Sequence, residues 1–457
     1  MSDGLKFPND FRWGISTSSY QIEGAATADD RTPSIWDTFS GTPGKVFGGH
    51  TGAEACDHYH RYSDDIRLMA ELGAKHYRFS VSWSRIFPEK GVLNERGIAF
   101  YRKLLEQMEA HGIQPMATIY HWDLPQWMQD EGGWAHRSSV GYYLEFARVL
   151  FERFGYDIPM WVTINEPWCA SILGYGLGVH APGHTDWREA LAAAHHLLLA
   201  SGEAIRDYRS RGLKGRIGIT LNLDDNESAT NEERDEAARS RHDGHLNRWF
   251  LDPLFKGDYP EDMKAWYRPL VGEWDFIASG DLEIIRDPGD FLGINYYTRA
   301  IVREGNEHPV LRLEQILPED CVKTDMGWEV RPESLYRLLC RIRDEYGSLP
   351  LYITENGSAQ ADEVKDGRVN DVERIAYVSG HLAEALRFIR EGGNLQGYYL
   401  WSFFDNFEWA FGYDKRFGIV HVDFDTQART PKESAYWYRN VMRENGLPDP
   451  VANSGKG

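Results

Sequence analysis

Eight short stretches of the chain are apolar, β-branched or aromatic almost without interruption: Phe11 to Thr17, Lys75 to Ser82, Pro115 to His121, Trp161 to Asn165, Arg216 to Asn222, Phe291 to Thr298, Leu351 to Glu355 and Gln396 to Phe404. A strand covered on both faces requires that pattern, because neither row of side chains meets water. Between several of these runs the apolar positions recur at helical spacing instead. Asn94 can cap a helix whose stripe is Ile98, Tyr101, Leu105 and Met108. Pro332 opens another that carries Leu335, Leu338, Leu339 and Ile342, and Ser379 to Arg390 gives a third with Leu382, Leu386 and Ile389. Strand and helix thus alternate eight times, which predicts an α/β fold of the (β/α)8 TIM-barrel type in a single domain. That domain is expected to span residues 1–447, with 448–457 as a disordered tail. The longest intervals, Asn222 to Phe291 and Thr298 to Leu351, read as insertions decorating the βα loops.

Composition adds limits to this picture. Hydrophobic residues make up 42% and charged residues 26%, so the chain can fill a large core and is not predicted to be disordered. Aromatics are in excess, with 16 Trp, 24 Tyr and 21 Phe; some fill the core, and others offer flat faces on which sugar rings stack. A formal net charge of −20 repels nucleic acid and anionic membrane, leaving a neutral or weakly cationic partner. Met1 to Lys6 shows no basic and apolar leader, and no run is long enough to span a membrane, so a cytoplasmic location without a membrane partner is expected. Either a monomer or a homo-oligomer is compatible with this composition. Cys56, Cys169, Cys321 and Cys340 are too scattered for a disulfide framework or a zinc site. The histidines at 58 and 60, 195 and 196, and 242 and 245 lack further ligands at metal spacing, and there is no phosphate-binding loop or serine elbow. No metal and no cofactor are therefore expected. The patterns Asn226-Glu227-Ser228 and Asn356-Gly357-Ser358 match a glycosylation acceptor by chance.

The chemistry is carried by two similar segments. Thr163-Ile164-Asn165-Glu166-Pro167 and Ile353-Thr354-Glu355-Asn356-Gly357 each run an apolar strand into a glutamate and then a turn residue. In a barrel the active site lies at the C-terminal ends of the strands, so glutamates closing the fourth and seventh strands face one another across the mouth. Glycoside hydrolysis needs such a pair, one carboxyl protonated to assist the leaving oxygen and one ionised to attack the anomeric carbon.

With these segments in place, the chain resembles glycoside hydrolase family 1, the β-glucosidase family, over nearly its whole length. Phe11 through Gly24 fits the family's N-terminal signature, and the two glutamate segments fit its acid/base and nucleophile motifs. Asn295-Tyr296-Tyr297 and Trp401 through Glu408-Trp409 follow in family order. The resemblance implies a retaining mechanism with Glu166 as acid/base and Glu355 as nucleophile. Arg78, at the end of the second strand, and Tyr297 are expected to keep Glu355 ionised, while the charge of Glu355 raises the pKa of Glu166. For the glycone it implies hydrogen bonds from Gln21, His121, Asn165 and Glu408, with Trp122, Asn295, Trp401, Trp409 and Phe417 completing the pocket. Trp168, Leu173, His180 and Trp328 are expected to wall the leaving-group side. A carboxylate at Glu408 would repel a 6-phosphate, so the implied substrates are neutral: small β-glucosides, cello-oligosaccharides and cellobiose. Two alternatives remain at this point. One keeps the mechanism with a β-galactoside or β-fucoside preference, and the other is a non-catalytic sugar-binding protein.

Overall fold

The computed structural model describes residues 5–448, so residues 449–457 of the expected tail lie outside the described residues. Eight parallel strands close into a barrel: β1 (Arg12–Ser16), β2 (His76–Ser80), β3 (Gln114–Tyr120), β4 (Met160–Asn165), β5 (Arg216–Asn222), β6 (Leu292–Asn295), β7 (Leu351–Asn356) and β8 (Leu395–Trp401). Each coincides with one of the eight apolar runs to within about three residues at either end. β8 returns to β1 in the register Arg12↔Gly397 through Ser16↔Trp401, which removes any open edge.

Alternation along the strands separates two cores. Tyr77 and Phe79 of β2 pack outward with the helices, in the main apolar cluster. Inside the barrel Met116, Met160, Val162, Phe291, Tyr352 and Tyr399 form a separate plug. The ring of Tyr399 lies across Gly14, where an added Cβ would sit 2.2 Å from it, so only glycine fits in β1 at that level. Arg78, expected at the end of the second strand, is instead the middle residue of β2, in register with Ser16 and Met116 and fully buried.

The helix Glu95–Ala110 begins where Asn94 accepts from the Arg96 amide, and its Ile98, Tyr101, Leu105 and Met108 are buried as the spacing predicts. Pro332 occupies the first turn of Pro332–Tyr346. The third predicted helix starts earlier than expected, running Val372–Arg390. Gly380 falls inside it. It lies mid-helix where a Cβ would come within 2.8 Å of Pro332, so it permits close packing of the two helices.

The two long insertions are not independent decorations. A strand at Asn226–Ser228 from the first pairs with Ala300–Glu304 of the second, which pairs in turn with Leu313–Ile316. This small sheet, with the helices Glu233–Asp243 and Trp249–Phe255, forms one side of the barrel mouth.

Candidate active site

The two glutamates leave the barrel at irregularities in its hydrogen-bond ladder. Pairing of β4 with β5 shifts between Val162 and Asn165, and pairing of β7 with β6 shifts between Ile353 and Glu355. Such bulges re-aim the side chains that follow them. Glu166 takes a left-handed backbone (φ 48°), as do Trp122 (φ 75°) and Trp409 (φ 49°), all three on the wall of the same cavity. Left-handed non-glycine residues cost about 1–3 kcal/mol each and persist where surrounding structure holds them. The Glu166 amide is held by Thr220 O at 2.9 Å. After Glu355, Gly357 passes so close to Trp401 that a Cβ would lie 1.6 Å from its carbonyl oxygen, which explains the glycine in that turn.

Glu355 accepts from Arg78 Nη1 on Oε1 at 2.5 Å and from Tyr297 OH on Oε2 at 2.6 Å. Tyr297 is steadied from behind, since Tyr377 OH donates to its carbonyl at 2.6 Å. Glu166 Oε1 accepts from Asn295 Nδ2 at 2.6 Å, and Oε2 from the Cys169 thiol at 3.0 Å. Amides join the two carboxyls: Asn295 Nδ2 also donates to Asn165 Oδ1 at 3.1 Å, and Arg78 Nη2 donates to that same oxygen at 2.5 Å. Glu166, Asn295, Asn165, Arg78 and Glu355 are therefore one continuous network.

Their environments differ. Glu355 has a guanidinium and a phenol in contact, whereas Glu166 has a neutral amide and a thiol. Burial pushes Glu166 up to about 7, with the charge of Glu355 adding to it and the bonds from Cys169 and Asn295 opposing it. The charge of Glu355, the cause expected from the sequence, is thus the smaller of the two, and desolvation is the larger. Glu408 is likewise pushed up to about 8, by desolvation first and then by Glu355 and Glu166, against a hydrogen bond from Gln21.

Of the residues expected around a sugar, His121, Trp122, Asn295, Trp401, Glu408, Trp409 and Phe417 line one cavity of about 620 Å³ together with Glu166, Tyr297 and Glu355. Gln21, Asn165 and Arg78 stand behind that wall. Gln21 Nε2 donates to Phe407 O at 2.9 Å and to Glu408 Oε2 at 3.4 Å. His121 Nε2 accepts from Asn165 Nδ2 at 3.2 Å, which puts the ring proton on Nδ1, a buried donor without a partner among the described residues. Burial and Arg78 hold this histidine well below the usual imidazole range, so it is neutral. It stacks against Trp401 and Trp409, with ring centroids 5.8 and 6.0 Å away.

Trp168, Leu173, His180 and Trp328 also line the cavity. Cys169 was not singled out from the sequence; its position three residues after Glu166, on the turn opening the π-helix Cys169–Gly176, was the available signal. Asn222, Asp224, His242, His245 and His308 line the cavity too, and they come from the two insertions and the end of β5. Among the described residues no group of three or more His, Cys, Asp or Glu could hold a metal ion, and no helix is long and apolar enough to cross a membrane.

The chain is similar to known proteins over nearly its whole length. The chain is 46% identical over 447 residues to beta-glucosidase A of Acetivibrio thermocellus, covering 97% of this chain and 99% of that protein. It is 44% identical over 449 residues to a 1,4-beta-D-glucan glucohydrolase of Thermotoga neapolitana, covering 97% and 100%. The crystal structure of the GH1 beta-glucosidase of Exiguobacterium antarcticum B7 superposes with a TM-score of 0.95 at 50% identity, covering 97% and 100%. The family model for glycosyl hydrolase family 1 matches residues 4–447, and with that whole-length match added to the paired glutamates at the barrel mouth, the chain belongs to glycosyl hydrolase family 1.

Proposed function

We propose that the protein is a retaining β-glucosidase in which Glu355 is the nucleophile and Glu166 the acid/base. The asymmetry of the two carboxyls carries the reading: Arg78 and Tyr297 both donate to Glu355, while burial and the neighbouring charge keep a proton on Glu166. In the first step Glu355 attacks the anomeric carbon, the glycosidic C–O bond breaks, and Glu166 gives its proton to the leaving oxygen. Glycosylation removes the charge of Glu355, and with it one cause of the raised pKa of Glu166. Glu166 then accepts a proton from water as that water attacks the anomeric carbon and frees Glu355.

Neutral glucosides suit the pocket. Among the described residues the cavity wall holds one Lys or Arg side chain, Arg299, and it is already matched by Glu329 at 2.7 Å and Glu227 at 2.9 Å. A 6-phosphate dianion would find no free cation there, even with Glu408 protonated. The unpartnered Nδ1–H of His121 and the acid group of Glu408 are donors for sugar hydroxyls, and Trp401 and Trp409 present apolar faces to C–H groups. The substrates in this reading are small β-glucosides, including cellobiose and longer cello-oligosaccharides. Four free thiols, two of them buried, support a reducing, cytoplasmic compartment.

Proton NMR of nitrophenyl β-glucoside turnover tests the stereochemistry. The β-anomer of glucose should appear first and mutarotate later; initial release of the α-anomer would contradict a retaining mechanism.

A further inference from the structure

The amides around Glu166 are each fixed in one orientation, and this decides which of its oxygens holds the proton. Arg78 Nη2 can only donate, so the Asn165 atom it meets at 2.5 Å is the carbonyl oxygen Oδ1. Asn295 donates to that same oxygen through Nδ2 at 3.1 Å, and its own Oδ1 accepts from Thr354 Oγ1 at 2.7 Å. Asn295 therefore presents an N–H to Glu166 Oε1, at 2.6 Å. An oxygen that already faces a donor at this distance leaves the acid proton to the other one, Oε2. Among the described residues Oε2 has one hydrogen-bond partner, the Cys169 thiol at 3.0 Å. Cys169 comes over the carboxyl because the chain turns at Glu166. That residue is left-handed (φ 48°), and the Ala170 amide donates back to Glu166 O at 3.2 Å, closing the turn into the π-helix Cys169–Gly176.

We propose that Cys169 is a positioning residue for the proton transfer: its thiol holds Glu166 Oε2, the oxygen that gives up the proton and takes it back, and partners it in both charge states. The proposal rests on the acid/base reading above and adds which oxygen acts and what orients it. With Glu166 ionised, the S–H donates to Oε2. With Glu166 protonated, the Oε2–H group has the sulfur as its neighbour, a weak acceptor that leaves the proton available to the leaving oxygen in the cavity. In the first step the Oε2–H bond breaks as that proton bonds to the leaving oxygen, and the electron pair stays on Oε2, where the thiol donates to it. In the second step Oε2 takes a proton from the attacking water. Sulfur keeps its own proton throughout, since burial first and then the charges of Glu166 and Glu355 hold the thiol well above its usual range. The other titratable or charged groups facing Glu166 are Glu355 of β7, Arg78 of β2, Tyr297 beyond β6 and Glu408 beyond β8. None of these four hydrogen-bonds to Oε2 among the described residues, so Cys169 is the side chain that acts on that oxygen directly.

The test is the pH dependence of kcat/KM for phenyl β-glucoside, a substrate whose leaving group needs the proton, in the wild type, Cys169→Ala and Cys169→Ser. Alanine removes a donor to the ionised carboxyl, so the alkaline limb should move to higher pH by about half a unit to one unit. A serine hydroxyl is a stronger donor than a thiol, and Cys169→Ser should move the limb to lower pH. A thiol that merely filled space would give variants with altered rates and an unmoved limb. An unmoved limb, or displacement in the same direction in both variants, would overturn the role of Cys169. If the alanine variant unfolds, serine decides alone, and a limb at or above the wild-type position is the contrary result. Glu166→Gln separates this inference from the reading beneath it. Phenyl glucoside turnover that kept its alkaline limb in Glu166→Gln would overturn the acid/base assignment itself, whereas a limb lost there and unmoved in the Cys169 variants would remove the role of Cys169 alone.

Discussion

At the residue scale, the site works because two identical carboxyls are given different neighbours. Tyr297→Phe removes the phenol that donates to Glu355, and should lower kcat/KM about 10- to 100-fold, as expected for a hydrogen bond to a charged group. Glu166 must hold a proton to act as acid, so kcat/KM of the wild type should fall as pH rises through about 7. In Glu166→Gln that alkaline limb should vanish from the residual activity; its persistence would assign the limb to another group. Glu166 and Glu355 were legible in sequence because an apolar strand run leads into each, and Tyr297 through the family motif Asn295-Tyr296-Tyr297. Cys169 and His308 were not, since nothing in their immediate sequence says which cavity they line. The ordering of forces on Glu166 was also hidden, because depth of burial is a property of the folded site.

At the element scale, irregular pairing aims the chemistry. The bulges at the ends of β4 and β7, with the left-handed turn at Glu166, bring both carboxyls into one cavity. Gly357 is required where the turn after β7 crosses the Trp401 carbonyl. Gly357→Ala should destabilise the fold by about 1–3 kcal/mol through overpacking, and calorimetry should show the lowered Tm together with reduced turnover. An unchanged Tm would mean that the turn can yield without moving Trp401. Periodicity reveals the eight strands well, since parallel barrel strands are apolar on both faces. It places the start of Val372–Arg390 late, at Ser379, because Ser379 and Gly380 are weak helix formers that here stand inside the helix.

At the scale of the whole molecule, a cavity holding Glu166, Glu355 and Glu408 trades stability for function. Glu408 has an ordinary pKa of 4.5 that rises to about 8 in the fold. Between those values the folded state binds the proton that the unfolded state has lost, so stability falls as pH rises across that window. Glu408→Gln lacks this slope, and its Tm relative to wild type should be higher at pH 8 than at pH 4.5; thermal melts at both pH values check this. The barrel's architecture was readable from the alternation of elements, and the insertions were readable as insertions. Their pairing into one sheet was not, because contacts between segments distant in sequence leave no local periodic mark.

The central claim is that Glu355 forms the covalent intermediate. Incubation with a 2-deoxy-2-fluoroglucoside carrying a good leaving group, followed by proteolysis and peptide mass mapping, tests it directly. The account predicts a fluoroglucosyl adduct on the peptide containing Ile353-Thr354-Glu355-Asn356 and located on Glu355; an adduct on any other residue would contradict it.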